Sequence, residues 1–227
     1  MKILFVVNDY LFFLTHRLPI AKACLQHGWN VHIATPNYDN AKELAHEEGL
    51  IWHGLAMKPG SQNPITDLRL LWELKTLYQK IEPDLVHHVT VKAVLYGSIA
   101  ARRANVPAVV NALSGLGYLY INDSLKNRSI RLGISQLFKY GFNHPNSQLI
   151  LQNEDDKRLV RDYNLLDEED ISIIRGSGVD TQKFNYVPED DSQLKVILPA
   201  RMLWDKGVGE FVEAAQKLRK DGLDASF

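Results

Sequence analysis

Short apolar runs alternate with amphipathic stretches along most of this chain. The runs are four to seven residues long and predict seven strands, over 2–7, 31–35, 51–55, 85–89, 108–111, 149–152 and 171–174. Apolar residues at helical spacing predict helices over 15–27, 40–48, 64–80, 91–104, 125–142 and 153–163. Continuous apolar strands separated by helices are typical of a parallel sheet covered on both faces. The pattern therefore predicts an α/β protein with a Rossmann-like, doubly wound parallel sheet.

The same pattern predicts two domains of unequal size. Residues 1–178 hold the Rossmann-like domain, and residues 179–194 have no periodicity and predict a hinge or linker. Residues 195–227 predict a strand over 196–198 and one helix, which is the way a second Rossmann-like domain begins. One strand and one helix cannot enclose a core, so we expect this second domain to be incomplete in the chain.

Composition excludes several classes of protein. The chain of 227 residues is 45% hydrophobic and 23% charged, with a formal net charge of -1, which indicates a globular protein and argues against a nucleic-acid partner. Cys24 is the only cysteine, so no intrachain disulfide forms and we expect a reducing compartment. The longest apolar stretch, 107–121, is interrupted by polar residues and glycines. Any membrane contact is therefore expected to be peripheral.

Ligands of open parallel sheets gather at the carboxyl ends of the strands, which narrows the search for a site. His87 and His88 end the fourth predicted strand and face opposite sides of the sheet, so at most one looks directly into a cleft. A hydrogen-bonded structural histidine is the alternative. No cysteine cluster or histidine–glutamate motif accompanies them, so no metal site is predicted. The candidates for a cleft or acceptor site are Asn8, His16, His88, Asn111, Ser114, Gly115 and Gly117.

Two stretches have both a structural and a functional interpretation, and the sequence leaves both open. The segment after the first strand contains Tyr10, Phe12 and Phe13, which suit either core packing or contact with an apolar acceptor or bilayer. His16 and Arg17 follow and can orient a substrate or serve as surface or capping residues. The segment 124–147 has five basic residues, no acid and a helical apolar stripe. It fits a helix on anionic lipid or a helix with its stripe in the core.

Two glycine-containing loops suggest further roles. Gly176 and Gly178, in RGSGVD, directly follow the last predicted strand of the first domain and predict an interdomain hinge. Arg201 and Lys206 lie in ARMLWDKGVGEFVEAA, between a predicted strand and helix. Two cations beside a helix N-terminus predict a phosphate-binding site. The segment NDYLFFLTHR has no glycine fingerprint of dinucleotide-binding proteins, which argues against a nicotinamide oxidoreductase.

Taken together, these segments resemble family 4 of the retaining glycosyltransferases, which have the two-domain GT-B fold. The match rests on MKILFVVN, FFLTHRLP, PDLVHHVTVKAVLYGSIAARRANVPAVVNALSGLG, RGSGVDTQKF and ARMLWDKGVGEFVEAA. The resemblance implies an acceptor-side domain followed by the opening of a donor-side domain. It also implies that Arg201 and Lys206 bind the diphosphate of a nucleotide-sugar. No cofactor is implied, because the nucleotide-sugar is a substrate, and no catalytic residue is assigned.

The resemblance further implies a C-terminally truncated chain, since the family's E-x7-E segment for the donor sugar would follow residue 227. We therefore expect the chain to be inactive alone. Similar sequences are bacterial enzymes of lipid-linked glycan and polysaccharide synthesis. They imply transfer, with retention, from a nucleotide-sugar such as a UDP-N-acetylhexosamine to a polyprenyl-diphosphate-linked saccharide. The expected location is cytoplasmic, at the inner face of the plasma membrane, in contact with anionic lipid. The alternative is a non-catalytic acceptor- or lipid-binding half that docks a separate donor-binding subunit.

Overall fold

The computed structural model describes residues 1–58, 63–116, 125–188, 193–200 and 202–227. The chain forms two compact units, Met1–Gly178 and Val179–Phe227.

The first unit is built on a sheet of seven parallel strands. They are β1 Lys2–Val7, β2 Asn30–Pro36, β3 Ile51–Leu55, β4 Leu85–Val89, β5 Ala108–Leu113, β6 Ser147–Leu151 and β7 Ile171–Ile173. Their order in the sheet is β3-β2-β1-β4-β5-β6-β7, which is the Rossmann order with one strand added. The predicted α/β fold with a parallel sheet is therefore confirmed.

Seven helices accompany this sheet in the described part of the unit. They are α1 Tyr10–His16, α2 Leu18–Gln26, α3 Ala41–Glu47, α4 Pro64–Ile81, α5 Val91–Arg103, α6 Leu125–Phe142 and α7 Glu154–Asp162. Alternate residues of β1 belong to two separate apolar clusters, because successive side chains of a strand point to opposite faces. Leu4 packs in the cluster that includes α4, α5 and α6. Phe5 packs in the cluster that includes α1, α2 and α3.

The helix predicted over 15–27 is present as α2 over 18–26, but its predicted start is wrong, because a separate helix, α1, lies between β1 and α2. The carboxylate of Asp9 accepts a hydrogen bond from the backbone N–H of Phe12 at 2.6 Å and caps α1, which begins at Tyr10. Pro19 has no N–H to donate to the carbonyl of Thr15, so the first helix ends and α2 starts with this proline in its first turn. Residues 10–14, which lie between the first predicted strand and the first predicted helix, are therefore helical.

The second unit is small. Strands β8 Leu194–Lys195 and β9 Ala225–Ser226 pair in parallel, and α8 Val208–Lys220 lies between them in sequence. The helix prediction is confirmed, but the predicted strand over 196–198 is two residues too late. Only the N–H of Val196 still reaches β9, at 2.8 Å from the carbonyl of Ser226, and Ile197 is 81% exposed. The pairing ends there because β9 is two residues long.

Candidate functional site

A cavity of about 330 Å³ lies in the first unit, toward the carboxyl ends of the later strands. This volume is at the lower end of the range of small-molecule sites, roughly 300–1,000 Å³. The lining residues belong to the α1–α2 junction, to β4, β5 and β6 with the residue after β6, and to the segment that follows β7: Arg17, Ile20, His87, Ala112, Leu113, Ile150, Gln152, Ile174, Arg175, Gly176, Ser177 and Gly178. The cavity therefore lies where a parallel sheet ordinarily binds its ligand.

The register of the strands explains which side chains reach the cavity. His87 pairs with Val110 in the adjacent strand, and Ala112 pairs with Ile150 one strand further. Because side chains alternate along a strand, Val110 and Ala112 share a face with both partners. This face also carries Phe5, whose ring meets the His87 ring edge-on at 5.4 Å. The cavity is thus on the same face of the sheet as the cluster formed with α1, α2 and α3.

Arg17 is the most unusual residue of the cavity wall. It lies between α1 and α2 and is only 8% exposed. Its Nη1 donates to the carbonyl of His16 and to the hydroxyl of Ser177, both at 2.9 Å, and its buried Nε has no partner. No carboxylate of the described residues forms an ion pair with this guanidinium. Burial lowers the pKa of Arg17, because the charged form is poorly solvated in this position.

His87, in β4, is a second polar side chain of the cavity wall. Burial, together with the smaller effect of the positive charge of Arg17, lowers its pKa to about 3. The imidazole is therefore neutral near pH 7 and can exchange a hydrogen bond but not supply charge. The sequence showed that only one of the two adjacent histidines could face a cleft, and the structure assigns that position to His87 rather than to the predicted His88.

His88 and Asn111 lie on the opposite face, under α4 and α5, and do not line the cavity. Both are completely buried. Asn111 Oδ1 lies 2.8 Å from His88 Nδ1 and accepts from the hydroxyl of Ser98 at 3.0 Å. Because a carbonyl oxygen only accepts, His88 Nδ1 donates and Nε2 accepts from the hydroxyl of Tyr78, at 2.8 Å. Their prediction as cleft residues is replaced by a place in an internal polar network.

The remaining candidates of the first unit divide into two groups. Asn8, His16, Ser114 and Gly115 are outside the cavity wall, and Gly117 lies outside the described residues. His16 instead stacks on Phe12, with ring centroids 4.0 Å apart. Gly176 and Gly178 line the cavity on either side of Ser177 and have φ values of 72° and 74°. This left-handed backbone is strained for other residues. Their role as a hinge stays a prediction.

In the second unit, Lys206 ends a short 3-10 helix, Trp204–Lys206, directly before Gly207 and α8. Its side chain is exposed, and Gly207 has a φ of 73°. Arg201 lies outside the described residues. The diphosphate-binding role of these two residues therefore stays a prediction.

The described residues bear on cofactors and membranes in two ways. No group of three or more histidine, cysteine, aspartate or glutamate side chains within them could hold a metal ion. No helix within them is both long and apolar enough to cross a bilayer. The predicted lack of a cofactor stays a prediction.

Comparison with known proteins adds what geometry alone does not show. The chain is 28% identical over 216 residues to the N,N'-diacetylbacillosaminyl-diphospho-undecaprenol alpha-1,3-N-acetylgalactosaminyltransferase of Campylobacter jejuni, covering 89% of this chain and 57% of that protein. It is 32% identical over 120 residues to an Escherichia coli UDP-Gal:alpha-D-GlcNAc-diphosphoundecaprenol alpha-1,3-galactosyltransferase, covering 53% of this chain and 30% of that protein.

A solved structure and a family model complete the comparison. The crystal structure of Anabaena Alr3699/HepE in complex with UDP and glucose superposes with a TM-score of 0.65 at 18% identity, over 96% of this chain and 58% of that one. This likeness shows the shared fold. The model of the family described as Glycosyl transferase 4-like matches residues 2–154, which is well over half of the chain. The chain therefore belongs to the Glycosyl transferase 4-like family.

Proposed function

We propose that this chain acts in the transfer of a sugar from a nucleotide-sugar, such as a UDP-N-acetylhexosamine, to a polyprenyl-diphosphate-linked saccharide. The observation that carries this proposal is the similarity over 216 residues to a transferase whose name specifies both N-acetylgalactosamine and a diphospho-undecaprenol-linked acceptor. The second relative also has a diphosphoundecaprenol acceptor in its name, although its donor is UDP-Gal. The acceptor class is therefore better supported than the choice of sugar.

The first unit supplies the acceptor side in this proposal. Its cavity combines apolar side chains of the sheet with Arg17, His87 and Ser177, which offer hydrogen bonds to a saccharide or a phosphate. In the second unit, the start of α8 supplies the donor side. Its N-terminus carries partial positive charge, and Lys206 and Arg201 add two full charges for the diphosphate of the donor.

We propose that the reaction uses no cofactor, because these cations can neutralise the leaving diphosphate. We also propose retention, so that a UDP-α-sugar gives an α-linked product. Both named relatives form alpha-1,3 linkages, which supports this proposal.

The test is transfer of radiolabelled sugar from UDP-N-acetylgalactosamine or UDP-N-acetylglucosamine to a polyprenyl-diphosphate-linked saccharide. It is run with this chain and with the longest reading frame that contains it, in the presence and absence of EDTA. Labelled lipid that forms equally well with EDTA supports the proposal, and NMR coupling constants identify the anomer. No labelled lipid from either protein with any UDP-sugar, or transfer only to a free sugar, contradicts it.

A polyprenyl acceptor lies in a bilayer, so the proposal includes peripheral contact with the inner face of the plasma membrane. The predicted contact, α6, now has weaker support, because Ile134 packs against the core and Phe138 is buried within it. The side chains of Lys126, Arg128 and Ile130 lie outside the described part of the chain. For Ile134 and Phe138, the structure therefore supports the interpretation that the apolar stripe packs in the core.

Helix α4 offers a better surface for lipid. Ile65, Leu68 and Trp72 recur at helical spacing and are 78%, 57% and 58% exposed. Basic residues lie beside them: Arg69 is exposed, and the ammonium group of Lys75 is 5.4 Å from the centre of the Trp72 ring. Exposed apolar side chains flanked by cations fit the interface of an anionic bilayer. We propose that this face of α4 contacts the membrane.

Vesicle sedimentation tests the α4 surface. Replacing Ile65 and Trp72 by serine removes two apolar contacts and is expected to weaken binding to phosphatidylglycerol vesicles by about ten-fold or more. The matched control replaces Leu132 and Leu137, two exposed leucines of α6, by serine. Weakened binding only in the control would move the contact to α6. Equal binding of all three proteins would contradict the α4 proposal.

A further inference from the structure

The cavity of the first unit has an excess of positive charge in its wall. Arg17 and Arg175 both line it, and the described lining residues include no aspartate or glutamate. Arg17 is the important one, since it is more than nine-tenths buried. A buried charge is costly unless it is paired with an opposite charge and fully hydrogen-bonded. Here the guanidinium donates only to neutral oxygens, and its buried Nε–H donates to nothing.

The backbone around Arg17 has the same polarity. Arg17 is the N-cap residue of α2, a helix of nine residues, and Ile20 of its first turn also lines the cavity. The positive end of this helix dipole is therefore at the cavity wall. The first turn of α2 contains no acidic residue, and no side chain caps it. The glycine backbone on either side of Ser177 leaves that wall free of bulky side chains.

We propose that this cavity is an oxyanion site in which the guanidinium of Arg17 binds a phosphate group. A phosphate supplies the negative charge that the wall lacks, and the planar guanidinium of arginine matches the geometry of its oxygens. Ser177 holds Nη1 and so positions the guanidinium. His87, neutral beside it, adds a hydrogen-bonding partner without a competing charge.

The identity of the molecule that carries this phosphate is inferred from the proposed function. The diphosphate that joins the acceptor saccharide to its lipid and the diphosphate of the nucleotide-sugar share this chemistry. We assign the acceptor, because the cavity belongs entirely to the first unit and has apolar walls, including Ile20 and Ile150, that suit the first prenyl carbons.

Calorimetric titration of the chain with inorganic pyrophosphate at low ionic strength tests the site directly. The wild-type chain is expected to bind, and Arg17→Gln to bind about ten- to a hundred-fold more weakly, because it loses hydrogen bonds to a charged group. The matched control is Arg161→Gln, which removes an exposed arginine of α7 that pairs with Asp162 outside the cavity. Absence of binding to the wild-type chain, or equal weakening in both variants, overturns the proposal.

A second measurement does not depend on a variant that folds. In ¹⁵N-edited NMR of the wild-type chain, the Nε–H signal of Arg17 is expected to shift on addition of pyrophosphate. An unchanged signal would overturn the proposal that Arg17 binds the phosphate.

Two further ligands distinguish the sources of the phosphate. Geranyl diphosphate is expected to bind more tightly than pyrophosphate and to depend on Arg17, whereas UDP binding is expected to be the same in wild-type and Arg17→Gln chains. UDP binding that depends on Arg17 would overturn the assignment to the acceptor. If sugar transfer fails but pyrophosphate still binds, the proposed function is refuted and the proposed phosphate site is not. Transfer without pyrophosphate binding refutes only the site.

Discussion

His87 and His88 are neighbours in one strand, yet they lie in opposite environments. His88 faces α4 and α5, where its two ring nitrogens have partners in Tyr78 and Asn111. His87 faces a cavity and lies near Arg17, a buried cation with no anionic partner among the described residues. Both histidines are buried, and burial lowers the pKa of each. Burial therefore does not distinguish them, whereas the completeness of the hydrogen bonding around them does.

Buried polar groups with a full set of hydrogen bonds serve stability, whereas buried polar groups that lack a partner beside a cavity are candidates for binding. A satisfied network holds one arrangement of the core, and removing any member leaves another without a partner. An unsatisfied guanidinium in a cavity wall has the opposite property, since it costs folding free energy until a ligand arrives. Substitutions on the two faces should therefore have opposite effects on stability and ligand affinity.

Removal of the Asn111 amide is expected to have the largest effect on stability. In Asn111→Leu, the Nδ1–H of His88 loses its acceptor in a completely buried environment. The hydroxyl of Ser98 also loses Asn111 Oδ1 as an acceptor. We expect the free energy of unfolding, measured by urea denaturation, to fall by roughly 3–5 kcal/mol. Asn146→Leu is the matched control, because the side chain of Asn146 is exposed and its Nδ2 donates to the carbonyl of Pro107. A similar loss in both variants would contradict the importance of the network.

Acid should destabilise the first unit almost as much. Burial lowers the pKa of His88 from its ordinary value of 6.5 to about 4, so the unfolded chain binds more protons between these values. Stability from this group is complete above pH 6.5 and declines as the pH falls toward 4, by roughly 3 kcal/mol. The shifts of His87 and His32 have the same direction. Urea midpoints that stay constant or rise over this acid range would contradict the prediction.

A methyl group at Gly97 gives a smaller effect on the same face. A Cβ on this residue of α5 would overlap the ring of His88, with Cγ of that ring only 2.9 Å away. Gly97→Ala is expected to lower the free energy of unfolding by about 2 kcal/mol through overpacking. At Gly133 of α6 an added Cβ meets nothing within 4 Å, so Gly133→Ala is expected to stabilise the helix by up to about 1 kcal/mol. Destabilisation by Gly133→Ala alone would contradict this account.

The sequence predicted the sheet better than the site, for reasons that particular residues show. The apolar run from Lys2 to Val7 predicted β1 with its observed bounds, because buried strands need little but continuous apolar character. Continuous apolar character does not distinguish His87 from His88, because strands of a sheet covered on both faces have no alternation of polar and apolar residues. The break before α2 was missed although Pro19 signals it, because the apolar spacing continues across that proline.

Arg17 could not be singled out from sequence for a different reason. Its environment depends on Ser177, which is 160 residues away in the chain, and on side chains from three separate strands. In the sequence it is one of 26 lysines and arginines, which are residue types that mostly lie at the surface. Only the fold shows that it is buried and that its Nε has no partner.

Arg17→Met is expected to cause the smallest change in stability and the largest change in ligand affinity. Arg17→Met keeps much of the apolar volume of the side chain and removes a buried charge. Its free energy of unfolding is expected to lie within about 1 kcal/mol of the wild type or above it. A loss as large as that expected for Asn111→Leu, measured by urea denaturation, would show that Arg17 belongs to the structure rather than to a binding site.

Titration of the Arg17→Met chain with pyrophosphate, beside the wild type, tests the contrast between the two faces most directly. We expect a dissociation constant at least about ten-fold larger than that of the wild type, in a chain that remains folded. A folded Arg17→Met chain with the dissociation constant of the wild type would contradict it.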